Sequence, residues 1–232
     1  MIMEIKALVI AGPSAVGKTT VGNIVLQEDP RFRLSRSVTT RAPRGDAYDA
    51  EYIYLSREEF EALRDRGELL EWTEYSGDLY GTALSELERI SSEGCTPLLI
   101  LDLKGVRSVG ESKRGIAPCI LYVYDELNVM EERLYARYLA KDPTPEKLRS
   151  FVKRKEKNIK DYKDLPEIAE GFYAFVRNSG EPESTAKLVL EAYAAFENGK
   201  EACLGDINEV ASALAASALR KEEAPLGEED NV

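Results

Sequence analysis

Gly12-Pro13-Ser14-Ala15-Val16-Gly17-Lys18-Thr19 is the stretch that decides the fold of this chain. It matches the pattern G-x-x-x-x-G-K-[ST] at every fixed position. The apolar run Ala7–Ala11 precedes it, and a helical pattern extends from Lys18 to about Gln27. A strand, a glycine-rich turn and a helix in succession predict a phosphate-binding loop at the start of an α/β domain.

This loop has a defined chemistry. Glycines let backbone N–H groups point inward at phosphate oxygens, and the helix N-terminus adds its positive end. Lys18 would neutralise the β and γ phosphates, and the Thr19 hydroxyl would hold Mg²⁺. A plain glycine turn with an exposed lysine is the competing interpretation, and the strand and helix around the loop argue against it. We expect a nucleoside triphosphate to contact Gly12, Pro13, Ser14, Ala15, Val16, Gly17, Lys18, Thr19 and Thr20.

Composition excludes several classes of function. The 232 residues carry a formal net charge of −11, so a nucleic-acid partner is not expected. The chain has no histidine, which removes every mechanism that needs an imidazole base. Small anions remain possible ligands, because they need only local positive charge.

The sequence also bears on the compartment. No apolar run approaches the roughly 18 residues that cross a membrane, and Met1–Lys6 does not read as the start of a signal peptide. Cys95, Cys119 and Cys203 are scattered, which fits a reducing environment. We expect a cytoplasmic protein without a membrane partner.

Later segments extend the α/β pattern. Pro97–Leu103, Pro118–Tyr124 and Gly171–Val176 are short apolar runs, typical of strands buried on both faces of a parallel sheet. Helical patterns fall at about 82–92, 126–140, 145–163 and 184–197, with Ser184 as the expected cap of the last.

A different pattern interrupts this alternation. Val38–Thr40, Tyr48–Leu55 and Leu69–Tyr75 are rich in Tyr, Val and Thr and predict strands, with a turn at 76–78. Ser56–Glu59 is a capping box that opens a helix ending near Gly67. A small mixed lobe is therefore predicted between the first and second core strands.

The C-terminal part is separate. Residues 198–200 break the pattern, and residues 206–223 predict an alanine-rich helix whose apolar positions are Ile207, Val210, Leu214 and Leu219. The acidic residues 224–232 are expected to be disordered. The apolar stripe favours docking on the same chain or on a second copy, so a monomer and a homodimer both remain open.

Two arginines suggest an acceptor. Arg41 and Arg44 stand three residues apart around a proline. Planar guanidinium groups bind phosphate oxygens in pairs, so these two side chains can hold one monophosphate.

Together with the phosphate loop, the stretches 37–44 and 71–82 resemble guanylate kinase, over about residues 5–198. The resemblance implies an α/β fold with a P-loop NTPase-type parallel sheet flanked by helices, a small inserted mixed α/β lobe that binds GMP, and a helical lid. It implies a kinase domain at 1–198, with the GMP lobe at 34–82 and the lid at 133–155, followed by an extension at 199–232. The implied reaction is transfer of a phosphoryl group from ATP, with Mg²⁺, to GMP.

The resemblance assigns roles in the acceptor site. Glu71 and Thr82 are implied to read guanine. One carboxylate can accept hydrogen bonds from both the N1–H and the 2-amino group of guanine. Adenine has a lone pair at N1 and no 2-amino group, and this mismatch could favour guanine over adenine by a factor on the order of 10⁴. The residues implied to surround the GMP phosphate are Ser37, Arg41, Arg44, Tyr52 and Tyr80.

The chain departs from the family at a strand end. The family has two acids there, and in this chain Ile100 replaces the first while Asp102 matches the second. Thr19 and Asp102 are then the candidate residues for organising Mg²⁺. The competing interpretation of Asp102 is a carboxylate that caps a nearby helix.

The lid departs as well. Arg137 matches the family's first lid arginine, and Arg149 and Arg154 both qualify as the second. With Lys18, Arg41 and Arg44 these groups would stabilise charge on the transferring phosphoryl group. Asn178 matches an asparagine that the family places near the adenine of ATP.

Two other functions remain open. One is a kinase of the same fold that acts on another nucleoside monophosphate. The other is an inactive guanylate-kinase-like module that binds a peptide, which would be expected to lose Lys18 or the paired arginines.

Overall fold

The computed structural model describes residues 4–43, 45, 49–50, 52–75, 77–111 and 115–223. Strands and helices alternate along these residues, and each predicted core strand is present. The strands are β1 (Ile5–Ala11), β2 (Phe32–Leu34), β3 (Ser37–Thr39), β4 (Tyr52–Tyr54), β5 (Leu69–Tyr75), β6 (Asp78–Ala83), β7 (Thr96–Leu101), β8 (Ile116–Tyr124) and β9 (Ala174–Arg177).

The larger sheet has five strands in the order β2-β7-β1-β8-β9. β2 pairs with β7 and β8 pairs with β9, and both pairs are parallel. Residues 7–11 of β1 are all buried, as expected for a strand covered on both faces. The predicted parallel sheet is confirmed, although β2 was not foreseen because it is only three residues long.

The helices correct two sequence predictions. The predicted strand 97–103 ends at Leu101, and a helix begins at Leu103. Asp102 lies between them, and its Oδ1 accepts a hydrogen bond from Gly105 N at 3.0 Å, as the competing interpretation of a helix cap predicts. Ser184 is not a cap, because its helix begins two residues earlier, at Pro182. The helices are α1 (Lys18–Glu28), α2 (Arg57–Asp65), α3 (Leu84–Ser92), α4 (Leu103–Glu111), α5 (Leu127–Tyr138), α6 (Pro145–Asp164), α7 (Pro182–Glu197) and α8 (Leu204–Glu223).

The small lobe is a four-stranded mixed sheet in the order β4-β3-β6-β5. β3 is parallel to β4 and antiparallel to β6, which is antiparallel to β5. α2 opens with the predicted capping box, in which Ser56 and Glu59 exchange side-chain and backbone hydrogen bonds. The mixed lobe is thus confirmed, while Tyr48 of the predicted strand and Ser76 of the predicted turn lie outside the described residues.

The chain divides into two compact units. One comprises Met1–Ile10 and Gly22–Ile120, and the other comprises Ala11–Val21 and Leu121–Val232. The phosphate loop therefore belongs to the second unit and the small lobe to the first. A domain boundary at residue 198 stays a prediction.

The predicted C-terminal helix is confirmed as α8, which packs on α6 in the second unit. Ile207, Ala211 and Ala218 of α8 are buried, whereas Leu219 is 46% exposed, so Leu219 was wrongly placed on the packing stripe. Residues 224–232 lie outside the described part of the chain. Within the described residues no helix is long and apolar enough to cross a membrane.

Candidate active site

One face of the small sheet carries the predicted acceptor residues. Side chains alternate between the faces of a strand, and residues directly opposite each other share a face. Ser37 pairs with Tyr52, Thr39 pairs with Tyr80, and Thr82 pairs with Glu71. The side chains that this register places on one face of the sheet are those of Ser37, Thr39, Tyr52, Tyr54, Glu71, Thr73, Tyr80 and Thr82.

The opposite face is apolar. Val38, Leu79 and Ala83 point there and pack with Phe60 of α2 and with Leu69. Because α2 covers this face, the polar face is the one available for binding within the lobe.

The packing of the sheet explains why the motif has glycine at position 81, between Tyr80 and Thr82. A Cβ at this position would lie 2.7 Å from the backbone oxygen of Glu71 and 3.2 Å from the Phe60 ring. Only glycine lets β6 approach β5 this closely, so the strand that carries Thr82 is held against the strand that carries Glu71.

Arg41 is held tightly beside this face. Its side chain is only 9% exposed and lies over the Tyr52 ring, 5.1 Å from the ring centroid. Its Nη2 donates to Asp49 Oδ1 and to the Tyr54 hydroxyl, both at 3.3 Å, and the Tyr54 hydroxyl also donates to Asp49. These contacts fix the orientation of the guanidinium group, and its predicted contact with an acceptor phosphate stays a prediction.

Asp49 and Tyr54 are site residues that sequence reasoning missed. Tyr54 follows Tyr52 by two residues on the same strand face, so strand alternation could have identified it. Asp49 gave no sequence signal, because its contact with Arg41 depends on a loop. Arg44, the second predicted arginine, lies outside the described residues, and its role stays a prediction.

Glu71 is the half-buried acid of the polar face. Its Oε1 accepts a hydrogen bond from the Thr82 hydroxyl at 2.8 Å. The pKa of Glu71 is raised to about 7, mainly because the carboxyl group is buried; the Thr82 hydrogen bond opposes this increase and nearby Asp102 adds to it. A ligand that donates hydrogen bonds to this carboxylate would therefore stabilise its ionised form.

Lys104 of α4 was not foreseen in this site. Its Nζ donates to Thr73 Oγ1 at 3.1 Å, on the same sheet face as Glu71, and its charge lowers the pKa of Glu71. Ile100 lies against α1, since a Cβ at Gly22 would stand 3.0 Å from Ile100 Cδ1. The position of the family's first acid is thus used for packing in this chain.

The phosphate loop has the strained backbone expected of it. Gly12, Gly17 and the non-glycine Ala15 have positive φ values of 151°, 104° and 63°. A Cβ at Gly12 would stand 2.2 Å from the Val123 oxygen, and one at Gly17 would stand 2.6 Å from Asn178 Nδ2. Both glycines are required by these close approaches as well as by their conformation.

Lys18 folds back over the loop. Its Nζ donates to the carbonyl oxygens of Gly12 and Pro13 at 2.7 and 2.8 Å. A cavity of about 500 Å³ opens at the loop. Its lining includes the predicted residues Ser14, Ala15, Gly17, Lys18, Thr19, Thr20, Arg137, Arg154 and Asn178.

The two candidate lid arginines differ in placement. Arg154 lines the cavity and donates to Ser14 Oγ at 3.3 Å, and its buried Nε has no hydrogen-bond partner among the described residues. Arg149 is 70% exposed and pairs with Glu146 on the surface of α6. The structure therefore brings Arg154 to the phosphate loop and leaves Arg149 away from it.

Asn178 has structural partners in addition to its place at the cavity. Its Nδ2 donates to the Val16 oxygen and its Oδ1 accepts from Thr185, both at 2.7 Å. The side chain is 4% exposed. These bonds hold the loop, and the predicted contact with adenine stays a prediction.

The residues present fit Mg²⁺ that arrives with a triphosphate. Mg²⁺ commonly takes one or two protein ligands and completes its octahedron with phosphate oxygens and water. Thr19 is exposed at the cavity, and the described residues contain no cluster of three potential metal-ligating side chains. Asp102 belongs to the other unit and caps α4, so its role toward the metal stays a prediction.

Comparison with known proteins agrees with this geometry. The pattern of the guanylate kinase family matches residues 4–191. A guanylate kinase of Rubrobacter xylanophilus is 41% identical over 133 residues, covering 57% of this chain and 69% of the relative. One from Synechocystis sp. is 37% identical over 131 residues, covering 56% and 68%. The crystal structure of a guanylate kinase from Anaplasma phagocytophilum aligns with a TM-score of 0.56 and 24% identity, over 84% of this chain and 88% of that one.

Proposed function

Because the chain belongs to the guanylate kinase family, we propose that it transfers the terminal phosphoryl group of ATP to GMP, and to dGMP, in one in-line step. The observation that carries the proposal is the register of the small sheet, which gathers Ser37, Tyr52, Glu71, Tyr80 and Thr82 on one polar face. A phosphate oxygen of GMP is the nucleophile, so no residue needs to become phosphorylated.

The second unit supports binding of the donor. Lys18, Arg137 and Arg154 line one cavity at the phosphate loop and supply positive charge for the triphosphate. Mg²⁺, bound with ATP and held by Thr19, would neutralise charge on the β and γ phosphates. Positioning and charge stabilisation are most of what phosphoryl transfer requires.

The first unit supports binding of the acceptor. Arg41, beside Tyr52 and Tyr54, is oriented for the phosphate, and Glu71 is oriented for guanine donors. Adenine would leave the Glu71 carboxylate without donors, which disfavours AMP by a large factor.

An acceptor panel tests the proposal. ADP release from ATP and Mg²⁺ is measured with GMP, dGMP, AMP, CMP and UMP, with Lys18→Met as the inactive control. We expect activity with GMP and dGMP only. Absence of activity with every acceptor would contradict the kinase function, and equal activity with AMP would contradict the role of Glu71.

A further inference from the structure

A buried asparagine of α6 forms two hydrogen bonds with the backbone of the phosphate loop. Asn158 is 2% exposed, and its Oδ1 accepts the Ser14 N–H at 2.8 Å while its Nδ2 donates to the Ser14 oxygen at 3.0 Å. One side-chain amide thus satisfies both backbone groups of one loop residue. Such a pair in a buried setting holds the peptide in a single orientation.

Ser14 is the loop residue whose backbone Asn158 holds. It precedes Ala15, whose φ of 63° is unusual for a residue with a side chain. Gly12 and Gly17 are held by close packing against Val123 and Asn178, but Ser14 lies between these two anchors. Lys18 holds the Pro13 oxygen and Asn178 holds the Val16 oxygen, and Asn158 holds the backbone of Ser14 between them.

Asn158 also stands one helical turn after Arg154. Residues four apart on a helix lie on the same face, so both side chains reach toward the loop. Arg154 Nη1 donates to Ser14 Oγ at 3.3 Å. Two side chains of α6 thus make three hydrogen bonds to Ser14, two from Asn158 to its backbone and one from Arg154 to its hydroxyl.

We propose that Asn158 is a positioning residue for phosphoryl transfer, which fixes Ser14 and thereby places Arg154 against the transferring phosphate. The proposal rests on the proposed function for its reaction, though its effect on ATP binding does not depend on the acceptor. A side chain that merely satisfies buried backbone groups would affect folding stability without a selective effect on ATP.

The first test compares Asn158→Ala and Asn158→Asp with the wild type. Aspartate keeps the volume and the acceptor for Ser14 N–H but has no donor for the Ser14 oxygen. We expect kcat/KM for ATP to fall by roughly 10- to 100-fold in both variants, while KM for GMP stays within about twofold. The control is Asn198→Ala, which removes an exposed asparagine at the end of α7 whose Nδ2 donates to the Ala194 oxygen.

The second test is a double-mutant cycle with Arg154→Met. If Asn158 acts through Arg154, adding Asn158→Ala to Arg154→Met lowers kcat/KM for ATP by no more than about twofold. Full additivity of the two losses would overturn the proposal, as would an unchanged KM for ATP in Asn158→Ala.

Failure of the proposed function is distinguishable from failure of this inference. A wild-type protein that does not phosphorylate GMP contradicts the function alone. The ATP affinity of Asn158→Ala, read from ATP-dependent thermal stabilisation, still decides the inference. At least a tenfold loss of affinity supports it, and an unchanged affinity contradicts it.

Discussion

At the scale of single residues, Glu71 is a site carboxyl group whose ionisation the fold shifts into the neutral pH range. Burial raises the pKa of Glu71 to about 7, even though Thr82 donates a hydrogen bond to it. A carboxyl group with a raised pKa is partly protonated near neutral pH, and only its ionised form accepts two donors from guanine. Acceptor binding is therefore expected to be sensitive to pH.

We predict that KM for GMP rises as pH falls from about 8 to about 6, because protons then compete with guanine for the Glu71 carboxylate. Below the pKa the increase approaches tenfold for each pH unit. Initial rates at varied GMP and saturating ATP measure it. Glu71→Gln is the control, since GMP's own phosphate ionises in both proteins. An identical pH dependence in the two proteins would contradict the prediction.

The lid arginines give the second prediction at this scale. Arg154→Met should lower kcat by about 10²- to 10³-fold, because a cation near the transferring phosphate is lost. Arg149→Met should change kcat by less than about threefold, since Arg149 forms an exposed pair with Glu146. Steady-state kinetics of the two variants decide between them, and a larger loss in Arg149→Met would reverse the assignment.

At the scale of elements, α8 shows why a hydrophobic pattern alone misjudged a face. The predicted stripe consisted of Ile207, Val210, Leu214 and Leu219. Ile207 is buried as predicted, but Leu219 is exposed, and the structure completely buries Ala211 and Ala218 instead. Small residues let α8 approach α6 closely, and their low hydrophobicity hides them from pattern analysis. The helix α4 was not predicted for a different reason. Its first residue, Leu103, continues the apolar run 97–103, which was interpreted as a strand.

Packing of α8 is tested by two alanines on the same helix. Ala218→Asp should lower the free energy of unfolding by about 2–4 kcal/mol, because it buries a charge. Ala213→Asp, at an exposed position, should cost less than about 1 kcal/mol, since it carries the same helix-propensity penalty without burial. Thermal melting compares the two variants. Equal melting temperatures would show that α8 does not pack through Ala218.

At the scale of the whole molecule, the donor and acceptor residues belong to different compact units. Lys18, Arg154 and Asn178 lie in the second unit, whereas Arg41 and Glu71 lie in the first. Each set is built from contacts within its own unit. The two nucleotides should therefore be separable in binding experiments.

Thermal stabilisation by each ligand tests this separation. A ligand at 100 times its Kd stabilises the folded state by about 2.7 kcal/mol. Lys18→Met should lose the shift caused by ATP and keep the shift caused by GMP, and Arg41→Met should do the reverse. Lys200→Met, which replaces an exposed lysine, should keep both. Loss of both shifts in either site variant would contradict separate binding.

The sequence by itself determined the phosphate loop and the parallel sheet, and its resemblance to a family supplied the candidate acceptor residues. These features are local, because the loop is eight consecutive residues and strand alternation sets which side chains share a face. Only the tertiary structure decided between Arg149 and Arg154, gave Asp102 its role as a cap, and brought Asn158 to Ser14. The placement of Arg154 and Asn158 depends on which face of α6 meets a loop 140 to 144 residues away, and no local pattern encodes that contact. The cap at Asp102 is local, three residues from Gly105, but it required knowing that a helix begins at Leu103.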